Sequence, residues 1–241
     1  MNLQRRCLKR EENKMRDLTL TASIFQLSSA FYSSELECVL QECVGIYNQI
    51  RTRAFSNNEE QIRDGFIEYL KDDDYKNAHE PLDRYQFDKE IGDGLGRLDI
   101  RILPVSPYQG DKAFYTIECK RLDNRNVTGI SGLNAEYIKN GICRFVTNYY
   151  SSYYGCNAMF GFVVEEMDIA QNVSYINSLL SHDYVNQQEK RVFANAIQPL
   201  TYADYANGYA YSYVSKHKKE DENEILLYHL LFDFSHSIED N

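Results

Sequence analysis

Two charged residues, Glu118 and Lys120, lie two positions apart in the segment AFYTIECKRL (113–122), which otherwise has the composition of a buried strand. Because successive side chains of a strand alternate between its two faces, both charges are expected on the same face. A solvated strand face with a local ion pair would explain them. Half of a metal-dependent phosphodiesterase site would explain them equally well, and the neighbouring segments decide between the two interpretations.

The preceding segment adds a third charged residue. GRLDIRILPV (96–105) is joined to 113–122 by SPYQGDK, a loop with both Pro and Gly that is typical of a hairpin connection. If the hairpin is symmetric about the middle of that loop, facing residue numbers sum to about 217, so Asp99 lies opposite Glu118. This register predicts that two carboxylates and the ammonium of Lys120 meet at one point.

Two directly opposed carboxylates would destabilise a strand pair unless a cation lay between them. Mg²⁺ or Mn²⁺ suits two carboxylates, a backbone carbonyl and water better than Zn²⁺ does, since no His or Cys side chain is expected at the same place. Such an ion would polarise a phosphoryl oxygen and lower the pKa of a bound water. Lys120 could then orient that water or stabilise the negative charge that develops on phosphate.

The helices that must support this hairpin precede it in the chain. SSELE opens a predicted helix over 33–54, and SNN precedes a second predicted helix over 59–73. In the second helix Glu59 lies seven residues before Phe66 and shares its face, whereas Glu60 points about a quarter turn away. Helical phase therefore selects Glu59 over Glu60 as the acidic residue of this helix that faces the core.

The rest of the chain alternates strand and helix patterns. These predict, in order, a strand over 84–91, a helix over 133–152, a strand buried on both faces over 157–166, a helix over 168–181, and a hairpin formed by 209–217 and 224–234. The glycine-rich connector GDGLG is interpreted as a turn, because no helix follows it. This order indicates an α/β fold with a mixed central sheet.

The helix with Glu59, then GRLDIRI, FYTIECKRL, a helix and MFGFVV resemble the core of the PD-(D/E)xK nuclease superfamily, the restriction-endonuclease-like fold. The resemblance covers about residues 57–166, and its motif is short, so topology matters as much as residue identity. It implies that Asp99, Glu118 and Lys120 are the catalytic trio and that Glu59 is the acidic residue often found on the first core helix. Leu98 precedes Asp99, at a position where proline is common in the superfamily.

The resemblance also implies the ligands of the metal. They are Asp99, Glu118 and the backbone carbonyl of Cys119, with Glu59 as a candidate ligand of a second ion. Mg²⁺ is the expected cofactor, and Mn²⁺ is expected to substitute for it.

The helix after the motif flanks the site in this superfamily and often touches phosphate. Arg144, Lys139 and Tyr137 on that helix, and Arg121 on the strand, are therefore candidate contacts to nucleic acid, with a solvated helix face as the alternative. Residues 111–144 carry six Lys or Arg against four Asp or Glu, a balance of +2 in a chain of net charge −10. This contrast puts the expected phosphate-attracting surface beside the site.

Composition bounds the remaining possibilities. A chain of 241 residues supports one compact domain, divided here into a helical extension (1–56), a nuclease-like core (57–181) and a C-terminal extension packed on that core (182–241). The acidic balance argues against general coating of nucleic acid or of anionic membranes. Six cysteines without zinc-finger spacing, and apolar stretches too short to span a membrane, lead us to expect reduced thiols and a cytoplasmic location.

Together these features predict a Mg²⁺-dependent endonuclease that hydrolyses DNA and serves host defence, repair or a mobile element, as a homodimer or with other subunits. Two alternatives stay open: an RNA nuclease on the same site, and a catalytically silent module that binds nucleic acid or protein. His217 and His229 are expected near one another in the C-terminal hairpin, as hydrogen-bonded structural histidines rather than catalytic groups.

Overall fold

A seven-stranded sheet forms the centre of the protein in the computed structural model, which describes residues 22–92, 97–105, 113–150, 153–186 and 188–239. Within these residues the strands are β1 (Tyr85–Gly92), β2 (Arg97–Pro104), β3 (Tyr115–Leu122), β4 (Cys156–Val163), β5 (Tyr184–Val185), β6 (Arg191–Val192), β7 (Ala196–Tyr202), β8 (Ser212–Lys218) and β9 (Glu224–Asp233). The large sheet has the order β1-β2-β3-β4-β9-β8-β7, and β5 pairs with β6. Most of the predicted turn GDGLG, the loop SPYQGDK and residues 1–21 lie outside the described residues.

Strand direction changes twice across this sheet. β1, β2 and β3 are antiparallel, β3, β4 and β9 are parallel, and β9, β8 and β7 are antiparallel again. The predicted α/β class with a mixed sheet is therefore confirmed, as is the hairpin of β8 and β9. Because β9 lies between β4 and β8, residues 182–241 supply an inner strand of the sheet.

Helices pack against both faces of the sheet. Those of the described chain are α1 (Ala22–Ile50), α2 (Glu59–Leu70), α3 (Asp73–Ala78), α4 (Leu133–Tyr137), α5 (Cys143–Val146) and α6 (Ile169–Leu179), with a π-helical turn at Ile138–Ile142 that joins α4 to α5. Helix α1 begins eleven residues before the predicted start at 33, and α2 ends at Leu70 rather than 73. No helix in the described ranges combines the length and apolar character needed to cross a bilayer.

The predicted helix over 133–152 is wrong in its last turns. Helical backbone ends at Val146, and Asn148 adopts a left-handed conformation with φ of 55°. Asparagine tolerates that conformation better than most residues, so it terminates the helix. The backbone N–H groups of Tyr149 and Tyr150 then donate to the carbonyl of Arg144 at 3.0 and 3.3 Å, which folds the chain back toward the sheet.

The two faces of β4 enter different cores, because its side chains alternate. Phe160 and Phe162 pack on the α1 and α2 side, where the ring of Phe66 lies 5.3 and 5.8 Å from theirs. Met159 and Val163 pack on the side of α4, α5 and α6. Every residue of β4 is buried, as the sequence predicts for a strand covered on both faces.

Candidate active site

The register of the β2–β3 hairpin brings Asp99 to Glu118. Ile100 pairs with Ile117 and Arg101 with Thr116, so the predicted numerical sum is confirmed. The regular pairing does not continue to Asp99, whose side chain takes over a backbone position in the ladder. Its Oδ2 accepts a hydrogen bond from the N–H of Cys119 at 2.8 Å. This contact fixes the carboxylate at the point where the two strands separate.

Lys120 lies at the centre of the carboxylate cluster. Its Nζ is 2.8 Å from Glu118 Oε1, 3.1 Å from Glu59 Oε1 and 3.9 Å from Asp99 Oδ2. The same ammonium donates to the carbonyl of Cys119 at 2.5 Å. Three of the four residues that the sequence assigns to catalysis therefore converge on the ammonium nitrogen of the fourth, Lys120, together with the Cys119 carbonyl that the sequence assigns to the metal.

Glu59 reaches this cluster because of the way α2 begins. The side chain of Asn58 caps the helix by accepting from the N–H groups of Glu60 and Gln61 at 2.8 and 3.2 Å. Glu59, the first helical residue, then accepts from the backbone N–H of Arg121 at 3.0 Å through Oε2. Glu60 is exposed. Helical phase thus selected the glutamate that contacts the cluster.

Glu118 is the innermost member of the site, and its side chain has no exposed surface. Oε1 accepts from Arg144 Nη1 at 2.6 Å as well as from Lys120, and Oε2 accepts from the hydroxyl of Tyr150 at 2.7 Å. Arg144 Nη1 also donates to the Tyr150 hydroxyl at 2.7 Å. Sequence reasoning missed Tyr150, because the predicted helix ran through it and gave no reason for a bend.

Arg63 is a second partner that sequence reasoning missed. Its side chain is only 2% exposed, and Nη1 lies 3.5 Å from Asp99 Oδ1. Nη2 also pairs with Asp64 at 2.9 Å. Its position four residues after Glu59, one helical turn along the same face, is the signal that could have identified it.

The charges of the cluster act on one another strongly, since little water reaches them. Burial and the neighbouring Glu118 carboxylate raise the pKa of Asp99 to about 6. Burial opposes the charge of Lys120, but Glu118, Asp99 and Glu59 outweigh it and raise the pKa of the ammonium above its ordinary value. In this arrangement Lys120 therefore keeps its proton at neutral pH, and its ammonium can donate hydrogen bonds or stabilise negative charge.

The oxygen atoms in this cluster are of the kind that bind a hard divalent cation. Asp99, Glu118 and the Cys119 carbonyl offer oxygen atoms alone, and all three approach the Lys120 ammonium. In the arrangement seen here, however, no three His, Cys, Asp or Glu side chains of the described chain are grouped to hold a metal. The ammonium lies between the carboxylates instead, and both Glu118 oxygens accept from other donors. The residues fit Mg²⁺ or Mn²⁺ only if Lys120 moves aside.

Among the predicted contacts to nucleic acid, Tyr137 is wrong. Its side chain is completely buried, and its hydroxyl bonds to His229 Nδ1 at 2.7 Å. Arg121 lies at the rim, where Nη1 donates to Asn57 O at 2.9 Å. Lys139 pairs with Glu136, and its side chain is 22% exposed. Arg121 and Lys139 can therefore reach a ligand, whereas Tyr137 cannot.

Tyr137 instead begins a buried chain of hydrogen bonds, the histidine chain, that runs through His229, Ser215 and His217 to the carbonyl of Ala194. Each of its four contacts measures 2.7 Å. Burial lowers the pKa of His217 to about 4 and that of His229 well below its usual value, so both rings are neutral. The two histidines are structural and close together, as the sequence predicts.

Comparison with known proteins yields no relative. No family model, curated protein or solved structure matches the chain. A function therefore has to be inferred from the chemistry of the cluster around Lys120.

Proposed function

We propose that this protein is a metal-dependent nuclease of the PD-(D/E)xK type that hydrolyses phosphodiester bonds of DNA. The observation that carries the proposal is the convergence of Asp99, Glu118 and Glu59 on the ammonium of Lys120, at distances from 2.8 to 3.9 Å. A helix, an antiparallel hairpin and a parallel strand bring these residues together, in the order expected of that superfamily.

Each residue has a separate task in this proposal. Asp99, Glu118 and the Cys119 carbonyl would hold Mg²⁺, which when bound supplies Lewis-acid polarisation of the phosphate and an acidified water. Lys120 would then donate to the phosphoryl oxygen on which negative charge develops, in place of its present contacts with the carboxylates. Glu59, which accepts from the Lys120 ammonium at 3.1 Å, would orient that ammonium.

One observation favours a second candidate, a silent module that binds nucleic acid or protein without cleavage. In the conformation described here the carboxylates are already neutralised by Lys120, Arg144 and Arg63. A cluster whose carboxylates are paired with cationic side chains can remain folded without a metal ion. The two candidates differ in one measurable respect. A nuclease cleaves its substrate and needs Lys120 and a divalent ion to do so, whereas a silent module binds its partner without cleavage.

The test is an incubation of the protein with plasmid DNA, single-stranded DNA and RNA, each with Mg²⁺, Mn²⁺ or EDTA. We expect nicking or degradation of DNA with either ion and none with EDTA. A Lys120→Met variant keeps the length of the side chain without its charge, and we expect its rate to fall by at least about 100-fold. Cleavage of RNA alone would assign the site to the RNA alternative.

A lysine far from the site provides the matched control. Lys216 on β8 is 41% exposed and pairs with Glu224, so Lys216→Ala removes a charge without touching the cluster. Its cleavage rate should equal that of the wild type. If wild type, Lys120→Met and Lys216→Ala all behave alike on every substrate, the nuclease proposal fails and the silent module replaces it.

A further inference from the structure

A cleft lies beside the candidate active site, between the helical segment of α4 and α5 and the residues around the β5–β6 hairpin. Two cationic side chains, those of Lys139 and Arg144, contribute to its lining. The lining residues are Lys139, Asn140, Cys143, Arg144, Thr147, Tyr149, Asn186, Gln188 and Val192. Arg144 belongs both to this lining and to the cluster around Glu118. It therefore connects the buried carboxylate to a space that a ligand can enter.

The two ends of this connection differ in their exposure. The side chain of Glu118 has no exposed surface, whereas that of Arg144 is 25% exposed. The guanidinium lies 5.3 Å from the ring centre of Tyr149, which also lines the cleft. A guanidinium offers five N–H donors in a planar fork, and Nη1 provides both contacts described above, to Glu118 and to Tyr150. A ligand in the cleft can thus approach the residue whose Nη1 binds Glu118.

Glu118 is the ligand whose oxygens are most fully engaged. Lys120 and Arg144 donate to Oε1, and Tyr150 donates to Oε2. A cation would have to compete with these donors for the same lone pairs, against the positive charge of Arg144 at 2.6 Å. One hydrogen bond to a charged group corresponds to a factor of at least about ten in affinity.

We propose that Arg144 couples the two sites: a phosphate group of the nucleic acid that enters the cleft draws the guanidinium away from Glu118 and so permits the divalent cation to bind there. The inference rests on the proposed function and adds the order of events at the site. Phosphate is the ligand that suits the cleft, because Arg144 and Lys139 line it together and a guanidinium binds phosphate in a bidentate manner.

The coupling has a thermodynamic consequence. If phosphate in the cleft favours the cation, the cation must favour phosphate by the same factor. Without nucleic acid the site stays in the internally neutralised arrangement of Lys120 and Arg144, and its cation affinity is low. The protein would thereby avoid assembling an active centre before a substrate is present.

The test measures the affinity for Mn²⁺ by electron paramagnetic resonance, with and without a single-stranded phosphorothioate oligonucleotide that resists hydrolysis. An Asp99→Asn sample provides the background of Mn²⁺ bound to the oligonucleotide itself. For the wild type we expect the affinity to rise at least about tenfold when the oligonucleotide is present. For Arg144→Gln we expect tighter binding of Mn²⁺ alone, and less than about a threefold rise on adding the oligonucleotide.

Tyr150→Phe is the matched control, because it also removes a donor from Glu118 but Tyr150 does not line the cleft. It should keep most of the wild-type rise in affinity. An equal rise in the wild type and in Arg144→Gln would overturn the coupling while leaving the nuclease proposal intact. Wild-type protein that binds no Mn²⁺ above the Asp99→Asn background, with or without oligonucleotide, would overturn both.

Discussion

The cluster around Lys120 and the histidine chain are both groups of buried polar side chains on the same sheet, but their side chains have different kinds of partner. Glu118 and His229 are each fully buried. The cluster satisfies its carboxylates with cations, namely Lys120, Arg144 and Arg63. The histidine chain satisfies its members with neutral hydrogen bonds. A metal ion could replace one of these cationic side chains beside a carboxylate. The histidine chain contains only neutral groups, so it offers no such position for a metal ion.

The group at one end of the histidine chain, the carbonyl of Ala194, fixes the direction of every hydrogen bond in it. The Ala194 carbonyl can only accept, so His217 donates through Nδ1 and accepts from Ser215 through Nε2. Ser215 then accepts from His229 Nε2, and His229 Nδ1 accepts from the hydroxyl of Tyr137. Both nitrogens of each ring therefore bind partners inside the protein, and neither ring has a nitrogen left to contact a substrate. The proposed nuclease chemistry therefore assigns catalysis to the cluster, and the histidine chain is expected to contribute to stability.

The largest effect is expected from neutralising Asp99, a proposed metal ligand. In Asp99→Asn the amide oxygen can still accept from the Cys119 N–H, which the carboxylate does at 2.8 Å, so the hairpin should keep its geometry. Cleavage should fall by about 10³-fold, or about 4 kcal/mol of barrier. Initial rates on plasmid DNA, with unfolding in urea as a check of the fold, measure both expectations. A rate within tenfold of the wild type would remove Asp99 from the catalytic group.

Breaking the histidine chain should lower the stability of the protein and leave its cleavage rate unchanged. Ser215→Ala leaves His217 Nε2 and His229 Nε2 without their partner in a fully buried place, which should cost about 2–4 kcal/mol of unfolding free energy. Cleavage per folded molecule should stay unchanged, because none of these groups contacts the cluster around Lys120. Urea denaturation and the cleavage assay at a temperature where the variant is folded measure the two quantities.

Ser174→Ala on exposed α6 surface is the control for that substitution. It should change the unfolding free energy by less than about 0.5 kcal/mol. A loss of activity in Ser215→Ala beyond its loss of folded protein would mean that the histidine chain also supports catalysis.

The pH dependence of stability should be smaller and should report on the histidine chain. Because the pKa of His217 is lowered from 6.5 to about 4 in the fold, the unfolded chain binds an additional proton between these values. Stability from this residue is therefore complete above pH 6.5 and is lost as the pH falls toward 4, by about 2 kcal/mol at pH 5. His217→Asn should show a flatter decline in urea denaturation over this range. Parallel curves for the two proteins would contradict the neutral assignment of His217.

The smallest effect is expected at the rim of the site. Arg121 donates to Asn57 O at 2.9 Å at an exposed position, so Arg121→Gln should leave stability within about 0.5 kcal/mol. If this guanidinium also contacts phosphate, the affinity for DNA should fall about threefold and the salt dependence of binding should lose about one unit of slope. Fluorescence anisotropy at several salt concentrations measures both. An unchanged slope would make Arg121 a structural residue.

Local patterns were sufficient for much of the site. Period-two alternation and the numerical register put Asp99 opposite Glu118, and helical phase chose Glu59 over Glu60. These relations depend on residues that are close in sequence or on one regular element, and so their geometry follows from the period of that element. Arg63 obeys the same helical rule and could have been found by it.

Long-range pairings were outside the reach of such patterns. β9 pairs with β4 across about seventy residues, from Cys156 opposite Leu226 to Val163 opposite Asp233, and no local signal specifies that neighbour. The failure at Tyr137 has a similar cause: the residue was chosen because its helix was expected to flank the site, while the partner of its hydroxyl, His229, lies on that distant strand. Tyr150 was missed because one left-handed residue, Asn148, reverses the chain just before it.

The central claim is that a divalent cation binds between Asp99 and Glu118 when nucleic acid is present. Anomalous diffraction from crystals grown with Mn²⁺ and a phosphorothioate oligonucleotide tests it most directly. The account predicts one strong peak at about 2.0–2.3 Å from carboxylate oxygens of Asp99 and Glu118 and from the Cys119 carbonyl, with the Lys120 ammonium moved aside. A Mn²⁺ peak elsewhere, with Lys120 still between the carboxylates while the oligonucleotide is bound, would contradict it.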